Sequence, residues 1–349
     1  MDQISLNTYL SRVLSGIYIF LYRDNTYKLR YPNIDIKYEA DVYAEQEYIK
    51  NRFNDWINTE DILSTLMMIG VWNPILEKEL EDFPKKIEDL KVDLYKNAFN
   101  SVKIKSLKKN LKNLNNRYNF LYGVRHSLDH LTPSGYASLL KSQYILVHSL
   151  YDNSGDRLFE DIGSVNFAKF NALTNIIHEN IIPADTFREI ARSDLWRNYW
   201  SANKERMFNK PTVEWTDEQK TLVIITKMYD NAYEHPECPS DNIINDDDMF
   251  DGWMIMQRRE NEKDKNKKRT EKMLGDKLNK AGEVFLVANS KEEIQNIYDL
   301  NDAGARHTIR EREKTIINSD TEISVTQLPD IQRDIIMEQN RLYKEKNRK

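Results

Sequence analysis

Apolar positions recur three and four residues apart along most of this chain, while β-branched and aromatic runs are confined to short stretches. The first such stretch is Ile17–Tyr31, IYIFLYRDNTYKLRY. Its two runs flank Asp24-Asn25, residues that tolerate turn geometry, so it predicts a β-hairpin that Pro32 ends. Over residues 35–57, Tyr38, Val42, Ile49, Phe53 and Trp56 fall near helical spacing and predict an amphipathic helix. Thr59 is placed to cap the next helix and Gly70 to close it. Pro84 stands where a helix can start, and Ile87, Leu90, Leu94 and Ala98 follow it as a packing stripe. Beyond Ser101, Leu107, Leu111, Leu114, Tyr118 and Leu121 alternate steps of four and three, the spacing of a coiled-coil seam. Residues 84–123 therefore read as an αα-hairpin, or as one long helix able to meet a partner.

Residues 124–182 read as helical, with breaks at Pro133, Gly135 and Asn153-Ser-Gly155. Pro183 opens a helix with Phe187, Ile190 and Leu195 inward, and Thr216 with Gln219 forms a capping box ahead of Leu222–Tyr229. His235-Pro-Glu-Cys-Pro-Ser240 is a loop. The acids Asp246–Asp251 start a helix that becomes densely charged over 257–280, where it has almost no apolar stripe. After Gly282, the run Glu283–Ala288 reads as a strand, and Ser290 with Glu293 as a second capping box. The expected fold is mainly α and multi-helical, with a small N-terminal β-hairpin and a short β element near residue 285. Its expected parts are a hairpin region at 1–34, a helical domain at 35–182 and a second at 183–256. A charged linker follows at 257–281, then a C-terminal β-α-α region with an exposed tail at 282–349.

Composition narrows the function classes. Only 10 of 349 residues are glycine, which argues against barrels and glycine-rich phosphate loops. Aromatic residues make up 11%, enough to build a sizeable core. The net charge of −5 gives no global attraction to nucleic acid or an anionic membrane. A single cysteine, Cys238, excludes an internal disulfide and a multi-cysteine zinc site and fits a reducing compartment. No apolar run is long enough to span a bilayer, so no membrane partner is expected.

Candidate chemistry is sparse. His126 and His130 sit four apart in HSLDH, the spacing of two zinc ligands on one helical face, but Ser127 stands where a metalloprotease has Glu. Asp246, Asp247, Asp248 and Asp251 before Gly252 fail as a calcium loop, because Met249 and Arg258 fall on ligand positions. Acids there serve a helix start instead. Cys238 lacks the partners of a nucleophile. No catalytic residue, metal or cofactor is expected. The expected protein-binding residues are Leu107, Leu111, Leu114, Tyr118 and Leu121 of the seam, with Trp196 and Trp200, which share one helical face and read either as core packing or as an anchor for a partner. The alternative is nucleic-acid binding through Lys103, Lys105, Lys108, Lys109 and Lys112, with Arg258, Arg259, Lys267, Lys268 and Arg269.

Several short runs occur in order: Ile36-Lys-Tyr-Glu-Ala40, Gly70-Val-Trp72, Lys227-Met-Tyr-Asp-Asn231, Cys238-Pro-Ser, Ile244-Asn-Asp-Asp-Asp248, Asp251-Gly-Trp253 and Gly282-Glu-Val-Phe-Leu-Val-Ala-Asn289, with the basic helix between the last two. In these the chain resembles a family of tailed-bacteriophage structural or tail-assembly proteins, some of them chaperone-like. The resemblance implies a non-enzymatic protein that binds other phage structural proteins, tail or baseplate subunits, or further copies of itself. It implies a place in the host cytoplasm during assembly, or in the virion. It carries no catalytic motif and assigns no functional residues.

Overall fold

The computed structural model describes residues 3–32, 34–53, 57–203 and 206–274, with isolated positions beyond. Helix α1 (Gln3–Ser15) ends at Gly16, whose φ of +67° turns the chain into strand β1 (Ile17–Tyr22). Strand β2 (Asn25–Arg30) returns antiparallel, pairing Tyr22 with Asn25. The turn residues are thus Arg23 and Asp24, one position earlier than the sequence implies, and both have positive φ, as a two-residue hairpin turn demands. Helix α2 (Ile34–Asn51) follows. Its predicted apolar stripe does not point inward: Tyr38 and Phe53 are largely exposed, and Ala40 is its buried residue. Trp56 lies outside the described residues.

Helix α3 (Ile62–Met68) closes at Gly70 as expected, but Thr59 does not cap it; a 3₁₀ turn at Thr59–Asp61 intervenes. Helix α4 (Pro74–Lys96) starts ten residues before Pro84. The Asn73 carboxamide accepts from the Ile75 and Leu76 amides, and Pro74 supplies the first turn, so this cap outcompetes Pro84, which the helix absorbs. Helix α5 (Ser101–Arg125), capped by Asn100, runs back along α4 to complete the predicted αα-hairpin. Helix α6 (Pro133–Ser149) leads directly into strand β3 (Leu150–Tyr151), which adds to β2 and makes a three-stranded sheet. That strand lies within a region read from sequence as helical.

Helices α7 (Phe167–Glu179), α8 (Ala184–Arg192), α9 (Asp194–Ala202) and α10 (Asp217–Tyr233) follow, then the short α11 (Asp241–Ile244) and α12 (Asp247–Leu274). The capping box of α10 is formed as predicted: Thr216 N donates to Gln219 Oε1 at 3.0 Å and Gln219 N to Thr216 Oγ1 at 3.1 Å. The mainly-α architecture with an N-terminal hairpin is therefore present. The strand expected near residue 285 and the capping box at Ser290 lie outside the described residues. The chain divides into two compact units, Met1–Trp253 and Met254–Lys349, so the boundary expected at residue 183 falls inside the first.

Several apolar clusters fill that first unit. One packs the sheet against α6 and α7 through Phe20, Leu29, Val147, Phe170 and Leu173. A second joins α3, α4 and α5 through Leu66, Trp72, Phe83 and Leu121. A third joins Leu94 and Leu111 to Ile243 of α11 and Met249 of α12.

The first turns of α12 also gather charge. Asp251 accepts from Lys91 Nζ of α4 and from Arg188 Nη2 of α8, both at 2.6 Å. Asp247 takes Arg192 of α8 at 2.6 Å, and Asp246 takes Lys108 of α5 at 2.5 Å. Arg192 also donates to the Tyr229 hydroxyl of α10 at 2.7 Å. The α12 backbone passes so close to α4 that a Cβ on Gly252 would lie 2.0 Å from the Lys91 carbonyl oxygen.

Two predictions follow from this junction. Gly252→Ala places a carbon inside the Lys91 peptide and should cost about 3 kcal/mol or more. Gly123→Ala, on an open face of α5, should instead add about 0.5–1 kcal/mol, because alanine loses less backbone entropy in a helix. Thermal unfolding of both variants checks the pair. The second concerns charge. Burial pushes the Asp248 carboxyl above the usual carboxylate range, against the pull of Lys91 at 3.9 Å. A raised folded-state value makes its ionisation a cost, absent below the ordinary carboxylate value and complete above the raised one. Asp248→Asn should thus leave the melting temperature at pH 7 unchanged or higher. Asp251→Asn, which takes from Lys91 and Arg188 their closest carboxylate and leaves each only a longer contact, to Asp248 and Asp247, should lower stability by about 2–3 kcal/mol.

Candidate interaction surfaces

The predicted seam is spent inside the chain. Leu111 and Leu121 are each 2% exposed, and Leu107, Leu114 and Tyr118 pack against the same two clusters. The αα-hairpin buries this face between its own helices, which leaves the buried leucines no surface for a partner. Trp196 and Trp200 are likewise buried. Trp196 Nε1 donates to Thr226 Oγ1 and Trp200 Nε1 to Asp230 Oδ2, both at 2.8 Å, so α10 satisfies both indoles. Phe208 stacks on the Trp196 ring at 6.2 Å between centroids. These two tryptophans fasten α9 to α10 rather than presenting an exposed anchor.

The basic residues divide. Lys108 is tied to Asp246, Arg117 to Glu79 and Arg125 to Glu77. Lys103, Lys105, Lys109 and Lys112 are exposed on α5, and their side chains enter no ion pair among the described residues. Arg258 faces Glu262 one turn along α12 at 3.9 Å. Arg259 and Lys268 also lie on α12, as do Lys267 and Arg269, for which only the backbone is described.

His126 and His130 do not share a helical face. Helix α5 ends at Arg125, and His130 belongs to a separate 3₁₀ turn, Asp129–Leu131. His126 Nδ1 instead meets Asp129 Oδ2 at 2.7 Å. Both line an open cleft of about 340 Å³ with Arg125, Thr59 and Ser134. The Ser134 hydroxyl is engaged by those of Thr59 and Thr132, each at 3.1 Å, so it is not poised on the imidazole. Among the described residues, no three His, Cys, Asp or Glu side chains are grouped to hold a metal ion. The Asp246 cluster serves a helix start as expected, Asp246 Oδ1 accepting from the Met249 amide at 3.2 Å, and additionally binds the cations described above.

What the sequence reading missed is the α3–α4 turn. Met68, Ile69, Val71 and Ile75 are 85%, 57%, 47% and 79% exposed, four large apolar side chains within eight residues. The turn that carries them is held firmly. Gly70 takes φ +75°, and the Val71 and Trp72 amides both donate to the Leu66 carbonyl at 3.1 Å. Trp72 is buried beneath, its Nε1 donating to Glu77 Oε2 at 2.5 Å. Glu77 in turn holds Arg125, which ties the turn to the end of α5. The signal for this site lay in Gly70-Val-Trp72: a left-handed closing residue, an outward valine and an anchoring tryptophan. Two further exposed apolar residues, Phe99 and Val102, stand at the far end of the α4–α5 hairpin.

The intrachain use of the seam is testable. Leu111→Ala should lower the unfolding free energy by about 2–5 kcal/mol, the cost of a cavity at a buried leucine, measured by denaturant titration of the isolated chain.

Among the described residues no helix is long and apolar enough to cross a membrane. No protein-family model, curated protein or solved structure matches this chain.

Proposed function

We propose that this chain is a non-enzymatic protein of tailed-phage virion or tail assembly, acting through contacts with other phage structural proteins. The observation that carries the reading is the apolar knob at Met68–Ile75, exposed on a hydrogen-bonded turn. Isolated exposed apolar residues are ordinary on a protein surface, but a cluster on a structured turn marks an interaction site. The hydrogen-bonded backbone of the turn matters energetically, because a pre-ordered backbone loses little conformational entropy on binding. The partner that fits is a subunit with an apolar recess able to take Met68 and Ile75, the most exposed of the four. The resemblance to tail-assembly proteins points to tail or baseplate subunits as that partner, met in the host cytoplasm during assembly. Self-association through the same knob is the competing use of this surface.

The proposal predicts a complex with a tail or baseplate subunit when the two are co-expressed. Met68→Ser combined with Ile75→Ser should weaken that complex at least tenfold and leave the melting temperature of the chain unchanged. Binding undiminished in this double variant would remove the knob from the interface. Failure of every tail and baseplate subunit to bind the unaltered chain would overturn the assembly reading itself.

A further inference from the structure

We propose that the outward face of α5 binds the phosphate backbone of nucleic acid, a function separate from the apolar knob. Residues 94–128 form an unbroken stretch without a single acidic side chain, in a protein whose net charge is −5. Within it α5 carries seven basic residues. The fold divides six of them by direction, while the seventh, Lys103, is exposed at the helix start in line with Leu107. Acids from packed elements reach three: Asp246 meets Lys108, Glu79 meets Arg117 and Glu77 meets Arg125. Lys105, Lys109 and Lys112 lie on the opposite side from the buried leucines and are left unneutralised among the described residues. Their steps of four and three put all three ammonium groups on one stripe, about 10 Å long at the rise of an α-helix.

The rest of that face suits the same ligand. Asn113 and Asn116 are exposed alongside the lysines and offer amide donors to phosphate oxygens. Phe120 is 61% exposed on the same side, with the Arg117 guanidinium 6.0 Å from its ring centre. An open aromatic face with a cation beside it is a stacking platform for an unpaired base. The apolar residues of this face are confined to its ends, Val102 and Phe120, with lysines and asparagines between them. That distribution favours a polyanion over a bilayer, which calls for a continuous apolar stripe.

The test uses the full chain and a fluorescently labelled 20-nucleotide single strand, with the duplex of the same sequence as a second probe, read by anisotropy over a salt series. The unaltered chain should bind at least one probe, with affinity falling steeply as salt rises. Replacing Lys105, Lys109 and Lys112 together with Gln should weaken binding about tenfold or more at low salt. It should also reduce the slope of log affinity against log salt by about two to three, the loss of three phosphate contacts. Two controls bracket this. Lys→Arg at the same three positions should retain binding. Lys78, Lys85 and Lys86→Gln on α4 removes equal charge and should change affinity less than threefold. A preference for the single strand assigns Phe120 to base stacking, and equal binding of both probes assigns the site to the backbone alone. The proposal fails if neither probe binds, if the stripe variant binds as well as the unaltered chain, or if both Gln triples lose affinity equally. It also fails if the chain is captured by anionic phospholipid vesicles or poly-glutamate while neither oligonucleotide binds.

Discussion

The first unit is organised around the start of α12, where backbone contact and charge act together. Gly252 lets the helix lie against the Lys91 peptide at a distance no side chain would allow. That approach brings Asp251 within 2.6 Å of cations from both α4 and α8. It also seats Met249 against Leu94 and Leu111, and stacks Phe250 on Tyr229 at 4.9 Å. Four helices distant in sequence are thereby fixed to one short segment. Each aspartate is only partly removed from solvent, so the desolvation cost is moderate, and most have paired cations to offset it. The helix dipole adds to this, since carboxylates in a first turn face its positive end.

This arrangement has a consequence for surface chemistry. The junction consumes Lys91, Lys108, Arg188 and Arg192, and the α4–α5 hairpin consumes Arg117 and Arg125. Of the α5 cations that remain, Lys105, Lys109 and Lys112 lie on the side away from the buried leucines, and Lys103 stands at the helix start. The leucine seam shows the same division. Its leucines are taken up by α4 and α12, while the apolar residues left to solvent collect at the two ends of the hairpin, Met68–Ile75 at one and Phe99 at the other. Interior contacts thus determine which side chains of a repetitive sequence stay open to partners. Lysines at 105 and 108 differ in no obvious way along the chain, yet only one of them has an acid beside it.

Short-range rules were legible in the sequence. The helical periodicity, the hairpin between residues 17 and 31, the Gly70 stop and the Thr216–Gln219 box all depend on residues within a few positions of each other. Local backbone preference and local hydrogen bonds determine such features, so a linear reading reaches them. Where two local signals competed, at Pro74 and Pro84, the better-capped one prevailed. Strand β3 was not legible, because two residues become a strand only when β2 is alongside to pair with them.

The functional surfaces belong to the second kind. Periodicity identified a leucine face on α5 but could not say whether it would meet α4 or another molecule. The same holds for Trp196 and Trp200, whose indole donors find their acceptors 30 residues away on α10. It holds for Asp251, whose cations come from positions 91 and 188. The sequence by itself determined a mainly helical protein with a small hairpin and a lysine-rich helix. Only the tertiary structure decided which of its apolar and basic faces are spent on folding and which remain exposed, because burial and ion pairing arise between residues that the chain places far apart.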